Sequence, residues 1–311
     1  MRKITYSIAV LALTAGSAFA ADLPSRKGPP VLPPPPPPAP MWTGFYVGVN
    51  AGAVWENSSS VQTVAAPFFA NPINPNGPPV IANALAFSAT NWFGGNDSVS
   101  FIGGGQIGYN RQLFNSFVVG VEADMQGIAG AGGSQSVSKL ASLDPVGQAG
   151  EVYLSAASAS RSIDYIGTVR GRVGWLAIPT LLIYGTGGFA YGGVNMNTAI
   201  LAEDTLSAAV GLPAVIGGSA VSDTRTGWTA GGGVEWMFLP NWSAKVEYLY
   251  YDLGSLSSNG VLLQNSTAGG VTEPWAAAAT QTSARFNGNI VRAGVNYHFN
   301  WGASAPVVAN Y

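Results

Sequence analysis

Charged residues occur in close pairs inside otherwise apolar segments of this chain. The members of each pair stand two residues apart: Glu122 with Asp124, Arg170 with Arg172, and Lys245 with Glu247. Carboxylates and amines at this spacing on one strand face could act as a general acid and a general base. Charges that face a buried interior from one strand also stand two residues apart, and there they can pair with opposite charges on other strands. We favour this second interpretation because it needs no substrate.

Two other features could carry chemistry. His298 is the only histidine in the sequence, which excludes a His-rich metal site and makes any His-based triad depend on one position. Gly103, Gly105 and Gly108 match the pattern G-x-G-x-x-G, but a dinucleotide site needs that pattern between a strand and a helix. Here it lies within one apolar strand. We therefore expect His298 to be an interior polar residue and predict no catalytic, cofactor or metal site.

The segments that hold these charges alternate with a period of two. Arg170 and Arg172 share one face of a strand, while every second residue from Ile163 to Trp175 forms the other, uncharged face. Eight segments of this kind follow one another: 43–56, 99–112, 117–127, 161–176, 181–194, 225–238, 243–254 and 286–299.

The connections between these segments alternate between two lengths. Short ones contain "FNS", "AIPT" and "PNW", and long ones cover 57–98, 128–160, 195–224 and 255–284. An even number of strands with short turns at one end and long loops at the other is typical of bacterial outer-membrane barrels. We predict that the long connections are mobile surface loops, because they are rich in Ala, Ser, Asn and Gly.

Aromatic residues are found near both ends of the predicted strands. A first set lies near the short connections: Trp42, Phe45, Tyr109, Phe117, Trp175, Trp236, Phe238, Trp242, Tyr297 and Phe299. A second set lies near the long connections: Trp55, Phe101, Tyr165, Trp228 and Tyr250. Two aromatic girdles on either side of an apolar band are typical of a strand that crosses a bilayer.

The charged residues must then face inward. An Arg or Lys that faces lipid near the bilayer midplane costs about 2–4 kcal/mol. An eight-stranded barrel has an interior just wide enough for side chains to fill it. We predict that four acids and four bases fill this interior as pairs and leave no continuous channel: Glu122, Asp124, Arg170, Arg172, Glu235, Lys245, Glu247 and Arg292.

These patterns predict an all-β fold, an eight-stranded antiparallel transmembrane β-barrel with short periplasmic turns and long extracellular loops. The composition agrees, because only 9% of the residues are charged and 41 are glycine, whereas about a quarter are charged in typical soluble domains. The alternative is a secreted, soluble barrel of the lipocalin type, which would place its apolar side chains inside and its charges outside. With no cysteine in the sequence, neither a disulfide nor a lipid anchor on cysteine is expected.

The two ends of the chain predict export and attachment. Residues 1–20 have a basic start, a short apolar core and the cleavage pattern Ala18-Phe19-Ala20, which indicates a signal peptide rather than a membrane anchor. Residues 21–41 form a Pro-rich periplasmic linker, with a polyproline ligand as the alternative. We expect the barrel to span 42–299 and end at Phe299. The tail, 300–311, also alternates near Tyr311, but Pro306 limits its pairing.

Several strand motifs carry a family resemblance. They are "WTGFYVGVNAG", "TVRGRVGW", "YGTGGFAYG", "GWTAGGGVEWMF", "NWSAKVEYLYYDLG", "VRAGVNYHFNW" and the closing "PVVANY". Together they resemble the small outer-membrane barrels of alphaproteobacteria known as the outer membrane immunogenic protein family, within the OmpA-like transmembrane barrel group. The resemblance implies an abundant surface protein of the bacterial outer membrane that supports envelope integrity and cell-surface contacts. Porin-like or heme-binding roles are suggested for some members.

We therefore expect a structural surface protein that is not an enzyme and has no cofactor, with a small porin or a heme-type ligand-binding protein as the alternative. Expected partners are outer-membrane lipid and lipopolysaccharide, the barrel assembly machinery, and a host or surface partner that contacts the long loops. Nucleic acid is not expected, because the long connections carry seven acidic residues and one basic residue, Lys139.

Overall fold

The computed structural model describes residues 42–57, 60–70, 78–94, 99–114, 116–130, 133–142, 152–204, 214–268 and 271–299. The predicted signal peptide, Pro-rich linker and C-terminal tail lie outside these ranges. No helix within them is long and apolar enough to cross a bilayer.

The described residues contain eleven strands and one helix. Their bounds are β1 Gly44–Glu56, β2 Val61–Ala70, α1 Pro78–Ala89, β3 Asn91–Phe93, β4 Val99–Leu113, β5 Phe117–Ala129, β6 Gly133–Ser142, β7 Val152–Ile178, β8 Leu181–Asp204, β9 Val215–Leu239, β10 Trp242–Ala268 and β11 Val271–Phe299.

Eight of these strands form a closed ring in which each strand is antiparallel to its neighbours. The order is β1-β4-β5-β7-β8-β9-β10-β11, and pairing between β11 and β1 closes the ring. The closing pair runs from Phe45 opposite Phe299 to Glu56 opposite Gly288, so the ring has no free strand edge along this length. The predicted eight-stranded antiparallel barrel is confirmed.

The short connections are tight turns, as predicted. β4 and β5 are joined around Phe114, which has a positive φ of 49°. β7 ends at Ile178 and β8 begins at Leu181. The three turns lie at the same end of the ring because successive strands run in opposite directions.

Most described residues of the long connections, which we predicted as mobile surface loops, belong to regular strands or to a helix, so the predicted strands were too short. β7 begins at Val152 rather than 161, and β8 continues to Asp204 rather than 194. β10 similarly continues to Ala268 rather than 254, and β11 begins at Val271 rather than 286. We call this part of the molecule the distal extension; it consists of β2, α1, β3 and β6 with the strand ends 152–164, 193–204, 215–227, 253–268 and 271–287.

The distal extension is built from two sheets around a helix. One sheet has the order β3-β2-β11-β10 and the other β6-β7-β8-β9, because pairing between β9 and β10 ends at Trp228 and Asp252. α1 contacts strands of both sheets and buries Leu85 completely. Leu85 belongs to a cluster of buried apolar side chains that also includes Val61, Phe93, Ala157, Ala159, Met196, Ile200, Val215 and Leu262.

The polarity of the two strand faces reverses between the ring and the distal extension. On β7 within the ring, Arg170 is buried and Val169 is 53% exposed. In the distal part of the same strand, Ala157 is buried and Ser158 lies on the partly exposed face. The interior is therefore charged in the ring and apolar in the distal extension. Small alternating residues such as Ala and Ser carry this second pattern, which explains why it resembles a loop in the sequence.

A β-bulge at this boundary corrects one further prediction. The pairing of β7 with β8 shifts between Ile163 and Tyr165, so the side-chain alternation changes phase at Asp164. Ile163, which was predicted to lie on the outward face, is 2% exposed and belongs to the interior core. Arg161 is also buried. Period-two reasoning cannot detect a bulge, because the extra residue changes the face of every residue beyond it.

Candidate functional site

The structure places the eight predicted interior charges together in the lumen of the ring. Glu122 and Asp124 lie on β5, and the remaining six lie on β7, β9, β10 and β11. Each is at most 5% exposed. We call this set the ionic layer: Glu122, Asp124, Arg170, Arg172, Glu235, Lys245, Glu247 and Arg292. Its four acids and four bases carry no net charge.

Arg170 is the centre of the ionic layer. Its Nη2 donates to Glu122 Oε1 at 2.5 Å and to Asp124 Oδ2 at 2.8 Å, and its Nη1 donates to Glu247 Oε1 at 2.9 Å. Nε donates to Thr168 Oγ1 at 2.9 Å. One planar guanidinium therefore joins carboxylates from two strands, β5 and β10, across the lumen, which is the geometry that the donor fork of arginine allows.

Arg292 and Lys245 bind the same carboxylates from the other side. Arg292 Nη2 lies 2.9 Å from Asp124 Oδ2 and 2.6 Å from Glu247 Oε2. Lys245 Nζ lies 2.9 Å from Glu122 Oε1. Because each of these carboxylates contacts at least two cations, the charges form one network rather than separate pairs. Buried charges need this kind of compensation to offset the cost of leaving water.

A second part of the ionic layer surrounds Glu235, nearer the short turns. Arg172 Nη2 donates to Glu235 Oε2 at 2.7 Å, while Asn296 Nδ2 and Ser243 Oγ donate to Glu235 Oε1 at 2.7 and 2.5 Å. His298 Nε2 lies 2.9 Å from Ser243 Oγ and 3.4 Å from Glu235 Oε1. The single histidine is thus buried among polar side chains inside the ring.

Two tyrosines that the sequence reasoning did not single out connect the two parts of the layer. Tyr46 donates its hydroxyl to Glu122 Oε2 at 2.7 Å and accepts from Arg172 Nη1 at 3.0 Å. The Arg172 guanidinium lies 3.9 Å from the centre of the Tyr184 ring, and the Tyr184 hydroxyl donates to Glu247 Oε1 at 3.1 Å. Both tyrosines occupy inward positions of their strands, so strand alternation was the signal that could have identified them.

Trp42 closes the lumen at the end with short turns. It was predicted to belong to the aromatic girdle, but it is 1% exposed and its Nε1 donates to the carbonyl of Pro179 at 2.9 Å. Its ring also meets His298 edge-on, with centroids 5.8 Å apart. The physical reason is that Trp42 precedes β1, where strand alternation does not apply, and Gly44 turns the chain with a φ of 142°.

Aliphatic side chains lie on both sides of the ionic layer. Leu176, Leu182 and Met237 are buried with Trp42 at the end with short turns. On the other side the buried inward residues include the polar Gln126 and Thr229 and a larger set of aliphatic residues: Val54, Ile102, Ile166, Leu249 and Ile290.

A further ion pair, between the buried Arg161 and the partly exposed Glu56, was missed by sequence reasoning. Arg161 Nη2 contacts Glu56 Oε2, and the Arg161 guanidinium lies 5.3 Å from the centre of the Phe286 ring. The bulge at Asp164 turns the Arg161 side chain inward, and no pattern in the sequence predicted this bulge.

The outward face of the ring is a continuous apolar surface. Large apolar side chains are exposed on every strand of the ring, with aromatic residues near both ends: Phe45, Val49, Phe101, Ile107, Phe117, Val121, Val169, Trp175, Ile183, Phe189, Trp228, Trp236, Val246, Tyr248, Val291 and Val295. An exposed apolar surface of this extent requires an apolar surrounding.

Comparison with known proteins identifies the apolar surrounding of the ring. The family model described as "Outer membrane protein beta-barrel domain" matches residues 8–299. The chain belongs to this outer-membrane β-barrel family. It is located in the bacterial outer membrane, with the apolar band against lipid and the short turns in the periplasm.

Relatives in alphaproteobacteria agree with this assignment. The 31 kDa outer-membrane immunogenic protein of Brucella melitensis biotype 1 is 34% identical over 295 residues, which cover 93% of this chain and 97% of the relative. The 22 kDa outer membrane protein of Rhizobium leguminosarum bv. viciae is 31% identical over 163 residues, covering 52% and 57%. Among solved structures, the outer membrane protein OprG from Pseudomonas aeruginosa matches with a TM-score of 0.34 at 10% identity, covering 83% of this chain and 97% of OprG. The expected family and cellular location are confirmed.

Proposed function

We propose that this protein is a structural surface protein whose barrel is closed by the ionic layer and carries the distal extension outside the cell. The observation that carries the proposal is the complete mutual pairing of the eight buried charges. A conducting pore would need a continuous water-filled path along its axis. Here every carboxylate of the layer lies within hydrogen-bond distance of a cationic side chain.

The position of the polar groups also supports a role without catalysis. The four carboxylates accept hydrogen bonds from basic, hydroxyl and amide groups of the same layer, so their lone pairs are used within the protein. His298 is 2% exposed and faces the periplasmic end of the lumen. It is not available to a substrate or a heme group at the cell surface.

The expected partner for the apolar band is the outer-membrane lipid, and the expected route of insertion is the barrel assembly machinery. Strand β11 ends at Phe299, opposite Phe45 of β1. This pair closes the ring, so the barrel assembly machinery can recognise the aromatic residue at the end of β11. A host or surface partner would meet the distal extension first.

Single-channel recording in planar lipid bilayers tests the closed lumen. The purified full-length mature chain, shown to be folded by heat-dependent gel mobility, is expected to give no steady conductance above the lipid background. The double variant Arg172→Ala/Glu235→Ala removes one acid and one base and is expected to increase conductance. Arg285→Ala, an exposed position outside the lumen, serves as the matched control. Large, stable channels from the unmodified protein would instead establish a small porin.

A further inference from the structure

One sheet of the distal extension presents amide and aromatic side chains on its outer face. Gln62 on β2, Asn259 on β10 and Gln281 on β11 are exposed, and Trp92 on β3 is 74% exposed. We call these four residues the amide face.

The pairing of the strands places these side chains next to one another. Trp92 stands opposite Gln62, and Asn259 stands opposite Gln281. Gln281 pairs with Val64, two residues from Gln62 on the same face of β2. Because adjacent strands lie about 4.8 Å apart, four neighbouring strands place this set within a width of about 15 Å.

The polar groups of the amide face are free to bind a ligand. No hydrogen bond or ion pair joins the side chains of Gln62, Asn259 or Gln281 to any other residue that the structure describes. Charge is also low on this face: Arg285, closer to the ring on β11, is paired with Asp252 at 2.6 Å. Amides both donate and accept hydrogen bonds, which suits neutral hydroxyl groups better than ions.

An exposed indole beside several amides is chemistry that suits a sugar. The flat indole ring can pack against the C–H face of a pyranose, while its edge remains polar. The amides can bond sugar hydroxyls in either direction. The outer faces of both sheets expose aliphatic residues, Val64 and Val261 on this one and Leu140 and Ile216 on the other, so the exposed indole of Trp92 is what sets the amide face apart.

The position of the amide face indicates where such a sugar comes from. Its sheet continues the lipid-facing wall of the ring, since β10 and β11 are single strands through both regions. Asn259 lies nine residues beyond Tyr250 of the outer girdle, which is about 30 Å along the tilted strand. The sugars of lipopolysaccharide lie directly outside the outer leaflet, at this level of the wall.

We propose that the amide face binds neutral sugars of the surrounding lipopolysaccharide. Trp92 packs against a sugar ring, and Gln62, Asn259 and Gln281 bond its hydroxyl groups. The ionic layer takes no part in this interaction. The two proposals can therefore fail separately.

Binding to a soluble sugar probe tests the proposal. The full-length mature chain is folded into phosphatidylcholine nanodiscs, immobilised, and titrated with oligosaccharide released by mild acid from alphaproteobacterial lipopolysaccharide. We expect saturable binding that Trp92→Ala weakens by about tenfold and Gln281→Ala by about threefold. Ile216→Ala, on the outer face of the other sheet, is the matched control and should bind like the unmodified chain. Unchanged heat-dependent gel mobility shows that each variant is folded.

Three results would overturn the proposal. One is equal binding by the Trp92→Ala variant and the unmodified chain. Another is binding to lipid A vesicles without binding to the released oligosaccharide, which would assign recognition to the lipid. The third is a dimer in analytical ultracentrifugation that Trp92→Ala dissociates, which would assign the amide face to a second copy of the chain.

Discussion

The ring and the distal extension are built from the same strands but have opposite interiors. In the ring, the lumen holds eight paired charges and the outer face is apolar. In the distal extension, α1 and its neighbours form an apolar interior, and polar residues such as Asn259 lie outside. The change occurs within single strands, near the bulge of β7 at Asp164.

This difference shows that the surroundings of each strand segment decide its polarity. Lipid provides no hydrogen bonds, so the outward face of the ring must be apolar and polar side chains collect inside. Water reverses both requirements, because burial of apolar groups then stabilises the interior. The same period-two alternation of side chains therefore places suitable residues against lipid in the ring and against water in the distal extension.

The largest effect is expected in the ionic layer of the ring. Arg170→Ala removes the cation that contacts Glu122, Asp124 and Glu247. It should destabilise the barrel by about 3–5 kcal/mol, because carboxylates are left buried with too few partners. Urea unfolding in lipid vesicles, followed by heat-dependent gel mobility, measures this change.

Arg285→Ala is the control for this substitution. Arg285 also contacts a carboxylate, Asp252, but its side chain is 58% exposed. Asp252 is buried but keeps a hydrogen bond from the Gly254 amide, so the loss of the solvated Arg285 should lower the unfolding midpoint far less than Arg170→Ala does. If both arginine variants unfold alike, the ionic layer is not the stabilising element of the ring.

A somewhat smaller and more local effect is expected in the distal extension. Leu85→Ala leaves a cavity where α1 packs between the two sheets, at a cost of about 2–5 kcal/mol. Hydrogen exchange should accelerate in β2 and α1 while protection of the ring remains, since the ring also has its own closed strand pairing and the ionic layer, neither of which contacts Leu85. Phe87→Ala, at an exposed position of the same helix, should change little. Loss of protection throughout the ring would show that the two regions unfold as one unit.

The smallest effects compare two buried tyrosines of the ring, one in contact with the ionic layer and one in the apolar interior next to the distal extension. Tyr184→Phe removes a hydroxyl that donates to Glu247 and should cost about 1.5–3 kcal/mol, as for other hydrogen bonds to charged groups. Tyr251 is also buried, but its hydroxyl has no hydrogen-bond partner among the described residues. Tyr251→Phe should therefore be neutral or slightly stabilising. Equal destabilisation by both variants, measured by urea unfolding, would contradict the distinction between the ionic layer and the apolar interior around Tyr251.

Strand alternation and turn spacing were sufficient to predict the ring. Arg170 and Arg172 two residues apart, in a segment whose other face is apolar, specify an outward and an inward side. Alternation does not specify the contact of Arg170 with Glu247, since this contact joins residues 77 positions apart. Partners across the lumen depend on the shear and tilt of the whole barrel.

Other features could not be predicted because they break the alternation. The bulge at Asp164 reverses the faces of Arg161 and Ile163, and Trp42 lies before the first strand. On β7 and β11 the distal extension escaped detection because many inward residues are small, as at Ala157, Ala159 and Ala276. A pattern of Ala and Ser has little hydrophobic contrast, although both sides of the strand have defined surroundings.

The most direct test of the reversal places the same charge on the outer face of one strand in both regions. Val169 and Ala156 are both exposed on β7, the first within the apolar band and the second in the distal extension. Val169→Arg is expected to reduce the free energy of unfolding in lipid vesicles by about 2–4 kcal/mol, the cost of an arginine that faces lipid near the midplane. Ala156→Arg should change it by less than about 0.5 kcal/mol, as for other surface substitutions. Equal costs at the two positions would contradict the assignment of lipid to one region and water to the other.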